Sequence, residues 1–139
     1  MPAARSNAEI ARRALASWSR GDVEETLRSL DREVEWHVTM RLPDMPLDKD
    51  VYNGREEVRA LWETLRSVWD SLTLEIEEVI TDSGDVLLAR VRFRGTGISS
   101  GVEVDRVVYY VMVIRDERLA RIQPFDELPA ARHAAGIDE

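Results

Sequence analysis

The spacing of hydrophobic residues changes character about halfway along the chain. Up to about residue 69 apolar residues recur every three or four positions, which is typical of amphipathic helices. From Leu72 onward they alternate with polar residues or run continuously, which is typical of strands. The longest apolar run, residues 107–114, is rich in β-branched and aromatic residues and predicts a strand that is covered on both faces.

Two helices are predicted at the start of the chain. Ser6 and Glu9 have the spacing of a capping box, and a helix with Trp18 on its apolar face should follow and end at Gly21. Asp22 is placed to cap a second, short helix. The pattern therefore predicts a hairpin of two helices.

A strand, a loop and a third helix come next. Residues 34–38 alternate as a strand does, and residues 41–50 contain two prolines and predict a loop. We expect this loop to act as a lid. A third helix is predicted from residue 55 to about residue 69, with Trp62 and Trp69 on its apolar face.

Two further strands, residues 74–80 and 86–94, predict a hairpin. If Ser83 and Gly84 form a two-residue turn, the residue numbers of any two residues that face each other across the hairpin add up to 167. One face then carries a ladder of opposite charges made of Glu75, Glu77, Arg90, Arg92 and Arg94. The arginines alone suggest an anion site, but exposed cross-strand ion pairs account for the glutamates as well and are the preferred interpretation.

The remaining elements complete an α+β fold. The glycine-rich residues 95–101 join two strands and do not open a helix, which excludes a phosphate loop. After the 107–114 strand we predict a strand over 119–125, with Pro124 at a sheet edge or at the strand end, and a helix over 127–136. Because the 107–114 strand is apolar on both faces, we expect a second copy of the chain to cover the outer face as a homodimer.

Length, charge and composition indicate how many domains the chain has and which partners and cofactors to expect. The 139 residues suit a single domain over 1–139, and the net charge of −8 with no basic stripe argues against nucleic acid and against an anionic membrane surface. With no cysteine, no apolar signal segment and no metal-ligand spacing of its two histidines, we expect a cytoplasmic protein without a metal or cofactor.

Six short segments in this order resemble the nuclear transport factor 2-like superfamily and, within it, the SnoaL-like group. They are WSRGD at 18–22, VEWH at 34–37, YNGREEV at 52–58, VIRD at 113–116, RI at 121–122 and AAG at 134–136. The resemblance spans about residues 7–136. It implies a cone formed by a curved antiparallel sheet wrapped over three helices (a cystatin-like α+β barrel), commonly dimeric, with an apolar pocket. Members include steroid isomerases, polyketide cyclases, epoxide hydrolases, dehydratases and proteins without catalysis.

The catalytic patterns of two of these classes do not carry over to this chain. The steroid isomerase-like pattern expects an acid near Trp36 or His37, a tyrosine near Ala14 and a second acid near Tyr110, and none is present. The epoxide hydrolase-like pattern expects Arg-x-Asp on the long strand, where this chain has Asp105 next to Arg106. The resemblance to SnoaL-like cyclases instead implies an aspartate near the end of the last strand, and Asp126 matches it.

These residues define a candidate site. We expect Asp126 to act as the acid/base, with Tyr110 and His37 donating hydrogen bonds to a carbonyl or enolate oxygen. The expected pocket residues are Trp36, Trp62, Arg106, Val108, Met112 and Phe125. Arg106 should need Asp126 as a partner, but Asp126 is equally well placed to cap the last helix. Alternation also implies that only one of Trp36 and His37 faces inward.

Two classes of function follow from these alternatives. The first is a small-molecule enzyme, such as an isomerase, cyclase or dehydratase, that acts on an apolar carbonyl compound. The second is a non-catalytic dimeric domain of the same fold that binds a small apolar ligand or serves as a scaffold.

Overall fold

The computed structural model describes residues 6–38 and 49–136, and within them the chain forms one curved six-stranded sheet with four helices. In chain order the elements are α1 (Asn7–Arg20), α2 (Val23–Arg28), β1 (Leu30–His37), β2 (Val51–Asn53), α3 (Gly54–Val68), β3 (Trp69–Ser83), β4 (Val86–Gly97), β5 (Glu103–Arg115), β6 (Arg118–Phe125) and α4 (Leu128–Ala134). The strand order is β2-β1-β6-β5-β4-β3. Neighbouring strands are antiparallel except β1 and β6, which are parallel. The predicted α+β class is confirmed.

The predicted signals at the start of the chain are confirmed. Ser6 and Glu9 form the capping box of α1, which ends at Gly21 in the left-handed conformation with φ 81°. Asp22 caps α2 by accepting a hydrogen bond from the Glu25 N–H at 3.1 Å. These caps set the ends of the helical hairpin, and the apolar face of α1 packs against the inner face of the sheet. The expected lid, residues 41–50, lies outside the described residues except for its last two.

The assignment of Trp69 to the third helix is wrong. That helix ends at Val68, and Trp69 begins β3 with extended backbone. Its indole and the Leu72 side chain lie against Gly95 on β4. A Cβ at that position would be 2.9 Å from Leu72 Cδ1 and 3.2 Å from Trp69 Cε3. The missing side chain on β4 therefore makes room for a buried tryptophan at the start of the neighbouring strand.

The predicted hairpin register is confirmed in its middle and wrong near the turn. Glu75 pairs with Arg92 as expected, but the turn is formed by residues 84–85. Gly84 takes the first turn position with φ 60°, a conformation that glycine adopts readily. Two irregularities in β3, one on either side of residues 78–79, absorb the difference between the two registers.

The outer face of the sheet is covered in its centre by α4. Leu88 of β4, Val111 of β5 and Ala131 of α4 form a second buried cluster there. The outer face of the apolar 107–114 run is therefore covered within one chain at Val111, whereas Val107, Tyr109 and Val113 of the same face are half-buried. The predicted position of Pro124 at the end of a strand is confirmed, but its strand lies inside the sheet, between β1 and β5.

The side chain of Arg66 on α3 connects two helices. Its Nη2 donates hydrogen bonds to the carbonyl oxygens of Trp18 and Ser19, at the C-terminal end of α1. The guanidinium also lies 5.3 Å from the centre of the Trp62 ring, and burial lowers its pKa. The Trp18 carbonyl also accepts a hydrogen bond from the Gly21 N–H (3.1 Å), so Arg66 adds a cation to a helix end that is already capped, where the helix dipole favours positive charge.

We predict that Arg66→Gln lowers the free energy of unfolding by about 2 kcal/mol, because charged hydrogen bonds to buried carbonyls are lost. Arg59→Gln on the same helix is the control. It removes an exposed ion pair with Glu24 (3.1 Å) and should cost less than about 1 kcal/mol. Urea denaturation measures the free energy of unfolding of both variants. Equal losses in the two would show that Arg66 does not hold the end of α1.

Candidate functional site

A small, mostly apolar cavity lies between α1, β1 and the inner face of the sheet. Its volume is about 30 Å³, which is room for about one water molecule. It is lined by Trp18, Trp36, His37, Val38, Leu65, Leu72, Leu74, Phe93, Tyr110 and Pro124. In this form the cavity is far smaller than the ~300 Å³ at which small-molecule sites begin.

One wall of the cavity is a pair of stacked indoles. Trp18 on α1 and Trp36 on β1 have ring centres 4.6 Å apart and planes inclined by 24°. Trp18 Nε1 is buried and has no hydrogen-bond acceptor within the part of the chain that the structure describes. The buried N–H of Trp18 therefore has no hydrogen bond, and leaving a donor without a partner in an apolar interior costs folding free energy.

Tyr110 projects from β5 toward the cavity. The residue is 3% exposed, and burial raises the pKa of its hydroxyl. A buried phenol of this kind stays protonated at neutral pH. Tyr110 is therefore suited to donate a hydrogen bond to an oxygen atom in the cavity, as expected from the sequence, and not to accept a proton as a base.

His37 also lines the cavity, and the exposed carboxylate of Glu35 contacts its imidazole. Its Nε2 lies 3.4 Å from Glu35 Oε1, two positions earlier on β1, and its side chain is 12% exposed. Strict alternation would have allowed only one of Trp36 and His37 to line the cavity. Both do so, because the cavity lies at the end of β1 and extends around the last residue of that strand.

Arg106 and Asp126 form the ion pair that the sequence predicted. The Arg106 Nη2 donates to Asp126 Oδ1, and the two side chains are 36% and 59% exposed. Neither residue lines the cavity. The alternative role for Asp126 is also not observed, because the N-cap of α4 is Glu127 and no side chain caps that helix.

The other expected pocket residues are distributed over three places. Val108 and Met112 are fully buried in the main core, and Trp62 packs beside Arg66 on α3. Phe125 lies on the outer face with Leu88 and Val111, because it pairs with Tyr109 in the register of β5 and β6. Pro124, one residue earlier, is on the cavity side. The correction for Phe125 follows from alternation, since a shift of one residue changes the face.

Several lining residues were not among the sequence candidates: Trp18, Val38, Leu65, Leu72, Leu74, Phe93 and Pro124. The position of Trp18 on the apolar face of α1 was the one available signal. No group of histidine and acidic side chains suited to a metal ion occurs in residues 6–38 and 49–136. Over the same residues, no helix is long and apolar enough to span a membrane.

Known proteins of similar structure share this architecture. A nuclear transport factor 2-like protein of unknown function from Burkholderia pseudomallei aligns with a TM-score of 0.75 at 17% identity, covering 95% of this chain and 98% of that chain. TerC, co-crystallised with polyporic acid, aligns at 0.74 with 19% identity over 93% and 96% of the two chains. A candidate polyketide cyclase from Pseudomonas putida aligns at 0.70 with 13% identity over 90% and 94%.

These TM-scores establish a common fold. No curated protein matches the sequence. The family model described as the SnoaL-like domain matches residues 11–122, which is most of the chain. The resemblance inferred from the six sequence segments is therefore confirmed, and the chain belongs to the SnoaL-like domain family, with a nuclear transport factor 2-like fold.

Proposed function

We propose that this SnoaL-like domain binds a small apolar carbonyl compound in the cavity lined by Trp18, Trp36 and Tyr110. The observation that carries the proposal is the buried Tyr110 residue, whose hydroxyl is a hydrogen-bond donor among the apolar and aromatic side chains that line the cavity. A site of this kind binds the apolar body of a ligand by contact and orients it by a few polar groups. Tyr110 is the donor to the carbonyl oxygen.

The size of the cavity sets a condition on binding. A volume of about 30 Å³ does not hold a carbonyl compound with an aromatic or branched body, so side chains of the lining must move when the ligand enters. A stacked indole pair is a suitable wall for this purpose, because aromatic contact tolerates displacement in the ring plane. Ligand entry is therefore expected to change the tryptophan fluorescence.

Acetophenone and ethylbenzene make a matched pair of probes, since they differ mainly in the carbonyl oxygen. We predict that the protein binds both, followed by tryptophan fluorescence, and that Tyr110→Phe weakens acetophenone binding about tenfold, as expected for one hydrogen bond. Ethylbenzene affinity should be unchanged by the substitution. Equal effects on both probes, or no binding of acetophenone, would contradict the proposed role of Tyr110.

A second candidate function, proton transfer, is supported by the contact between His37 and Glu35. His37 lines the same cavity as Tyr110, and the carboxylate beside its imidazole orients the ring. Asp126, the acid/base expected from the sequence, would have to leave Arg106 before it could reach this cavity. We therefore propose His37 as the base and keep Asp126 as the alternative.

Exchange of the acetophenone methyl protons in D₂O, followed by proton NMR, separates the two residues. We predict that His37→Gln reduces exchange by about 10²-fold or to the buffer rate, the lower end of what general base catalysis contributes. Asp126→Asn is the control and should leave the rate unchanged. Loss of exchange in Asp126→Asn alone would assign the base to Asp126. If the unmodified protein gives no exchange above the buffer rate, the proposal of proton transfer is refuted and ligand binding alone remains.

We further propose that two copies associate through the outer sheet face beside α4, where Val107, Tyr109 and Val113 are only half-buried. The resemblance implies a dimer of this kind. Sedimentation should give twice the chain mass of 15.9 kDa. Val113→Lys should shift the protein to monomer, because it places a charge in the interface, whereas Ile98→Lys at an exposed loop position should not. A monomer in the unmodified protein would refute the proposal.

A further inference from the structure

We propose that a groove outside the cone, between α1 and the strands β3 and β4, binds a monocarboxylate that carries an apolar chain. The groove has a volume of about 460 Å³, within the usual range for small-molecule sites. Leu15, Ala16, Leu74 and Ile76 form its apolar part, and Arg12, Ser19, Thr73, Glu75, Arg92 and Arg94 its polar part. The proposal is independent of the cavity lined by Trp18, Trp36 and Tyr110, which we call the cone cavity. The groove shares only Leu74 with that cavity.

The floor of the groove is held in place by side chains of α1. Ser19 Oγ accepts a hydrogen bond from the Leu74 N–H (2.9 Å), and its single proton is within reach of the Leu15 carbonyl (2.9 Å) and the Leu74 carbonyl (3.2 Å). Arg12 Nη1 donates to the Ile76 carbonyl at 3.1 Å. These bonds occupy backbone groups on the edge of β3, so a peptide strand cannot add to the sheet at these residues. A small molecule is therefore the better occupant.

Two guanidinium groups in the groove retain unused hydrogen-bond donors. Arg12 has no carboxylate partner among the described residues, and its known bond uses only Nη1. Arg94 has a single carboxylate contact, at 3.5 Å to Asp105, and that carboxylate already accepts a 2.8 Å hydrogen bond from Arg92. Guanidinium groups of this kind form strong paired hydrogen bonds with a carboxylate.

Arg92 is not available in the same way. It donates to Glu77 at 2.7 Å and to Asp105, and these bonds raise its pKa. The ladder predicted from the sequence is thus confirmed for the ion pair between Arg90 and Glu77, whereas Arg92 bonds Glu77 and Asp105 in place of the expected Glu75. The anion-site interpretation, set aside on the sequence, returns for Arg94, because α1 brings Arg12 to the same groove.

The charge of the lining limits the ligand to a single negative charge. Arg92 is neutralised by Glu77 and Asp105, so Arg12, Arg94 and Glu75 leave the lining a formal excess of one positive charge, in a chain of net charge −8. Glu75 and the nearby Glu77 and Asp105 repel a dianion such as a phosphate ester more strongly than a carboxylate. The apolar residues from α1 and β3 then accommodate an alkyl or aryl chain.

Decanoate is the probe, with 1-decanol as the uncharged control of the same chain length. Below micelle-forming concentrations, calorimetry should show decanoate binding that Arg12→Gln and Arg94→Gln each weaken about tenfold, as expected for one charged hydrogen-bond partner. Decanol should bind more weakly than decanoate to the unmodified protein. Arg20→Gln, which removes an exposed α1 arginine that faces Asp22 at 3.7 Å, should have no effect.

Two further measurements keep the test decisive. Arg94 is an exposed side chain, so Arg94→Gln is expected to fold even if the loss of Arg12 loosens α1. Circular dichroism checks the folding of both variants.

Tyr110→Phe should leave decanoate affinity unchanged. Decanoate binding that falls only in Tyr110→Phe would place the ligand in the cone, and affinity unaffected by both arginine variants, or no binding at all, would overturn the proposal.

Discussion

The long strand β5 carries apolar side chains on both faces, and its neighbour β4 does so at Leu88, so the sheet is stable only if both faces are covered there. On the inner face, Met112 and Val91 are fully buried in the main core, to which the apolar faces of α1 and α3 also contribute. On the outer face, Leu88 and Val111 are buried beneath α4. A helix of seven residues is too short to be stable alone, so α4 depends on this contact as much as the sheet does. Its small residue Ala131, fully buried, allows the helix to approach the strands closely.

Local features of the fold could be predicted from the sequence, because their signals lie within a few residues. The capping box of Ser6 and Glu9 and the left-handed Gly21 are of this kind. Pairing between distant segments leaves no such signal. The parallel contact between β1 and β6 joins residues about 90 positions apart, and the covering of the outer face by α4 depends on the path of the whole chain.

In the candidate site, too, local features could be predicted from the sequence and the pairing of strands could not. Reasoning by alternation assumed an inward-facing Tyr110 and Asp126 as the partner of Arg106, and the structure contains both arrangements. Alternation did not predict the face of Phe125, because the pairing of β5 with β6 shifts at an irregularity between Val113 and Ile114. A shift of one residue exchanges the two faces of a strand, and only the three-dimensional register decides which one is chosen.

The position of bound acetophenone tests the central claim most directly, and a crystal structure of the complex measures it. The account predicts that the ketone oxygen lies within hydrogen-bond distance of Tyr110 Oη, with the aromatic ring against Trp36. Acetophenone found in the groove between α1 and β3, or on the outer face of the sheet, with the cone cavity unchanged, would contradict the assignment of the cone as the ligand site.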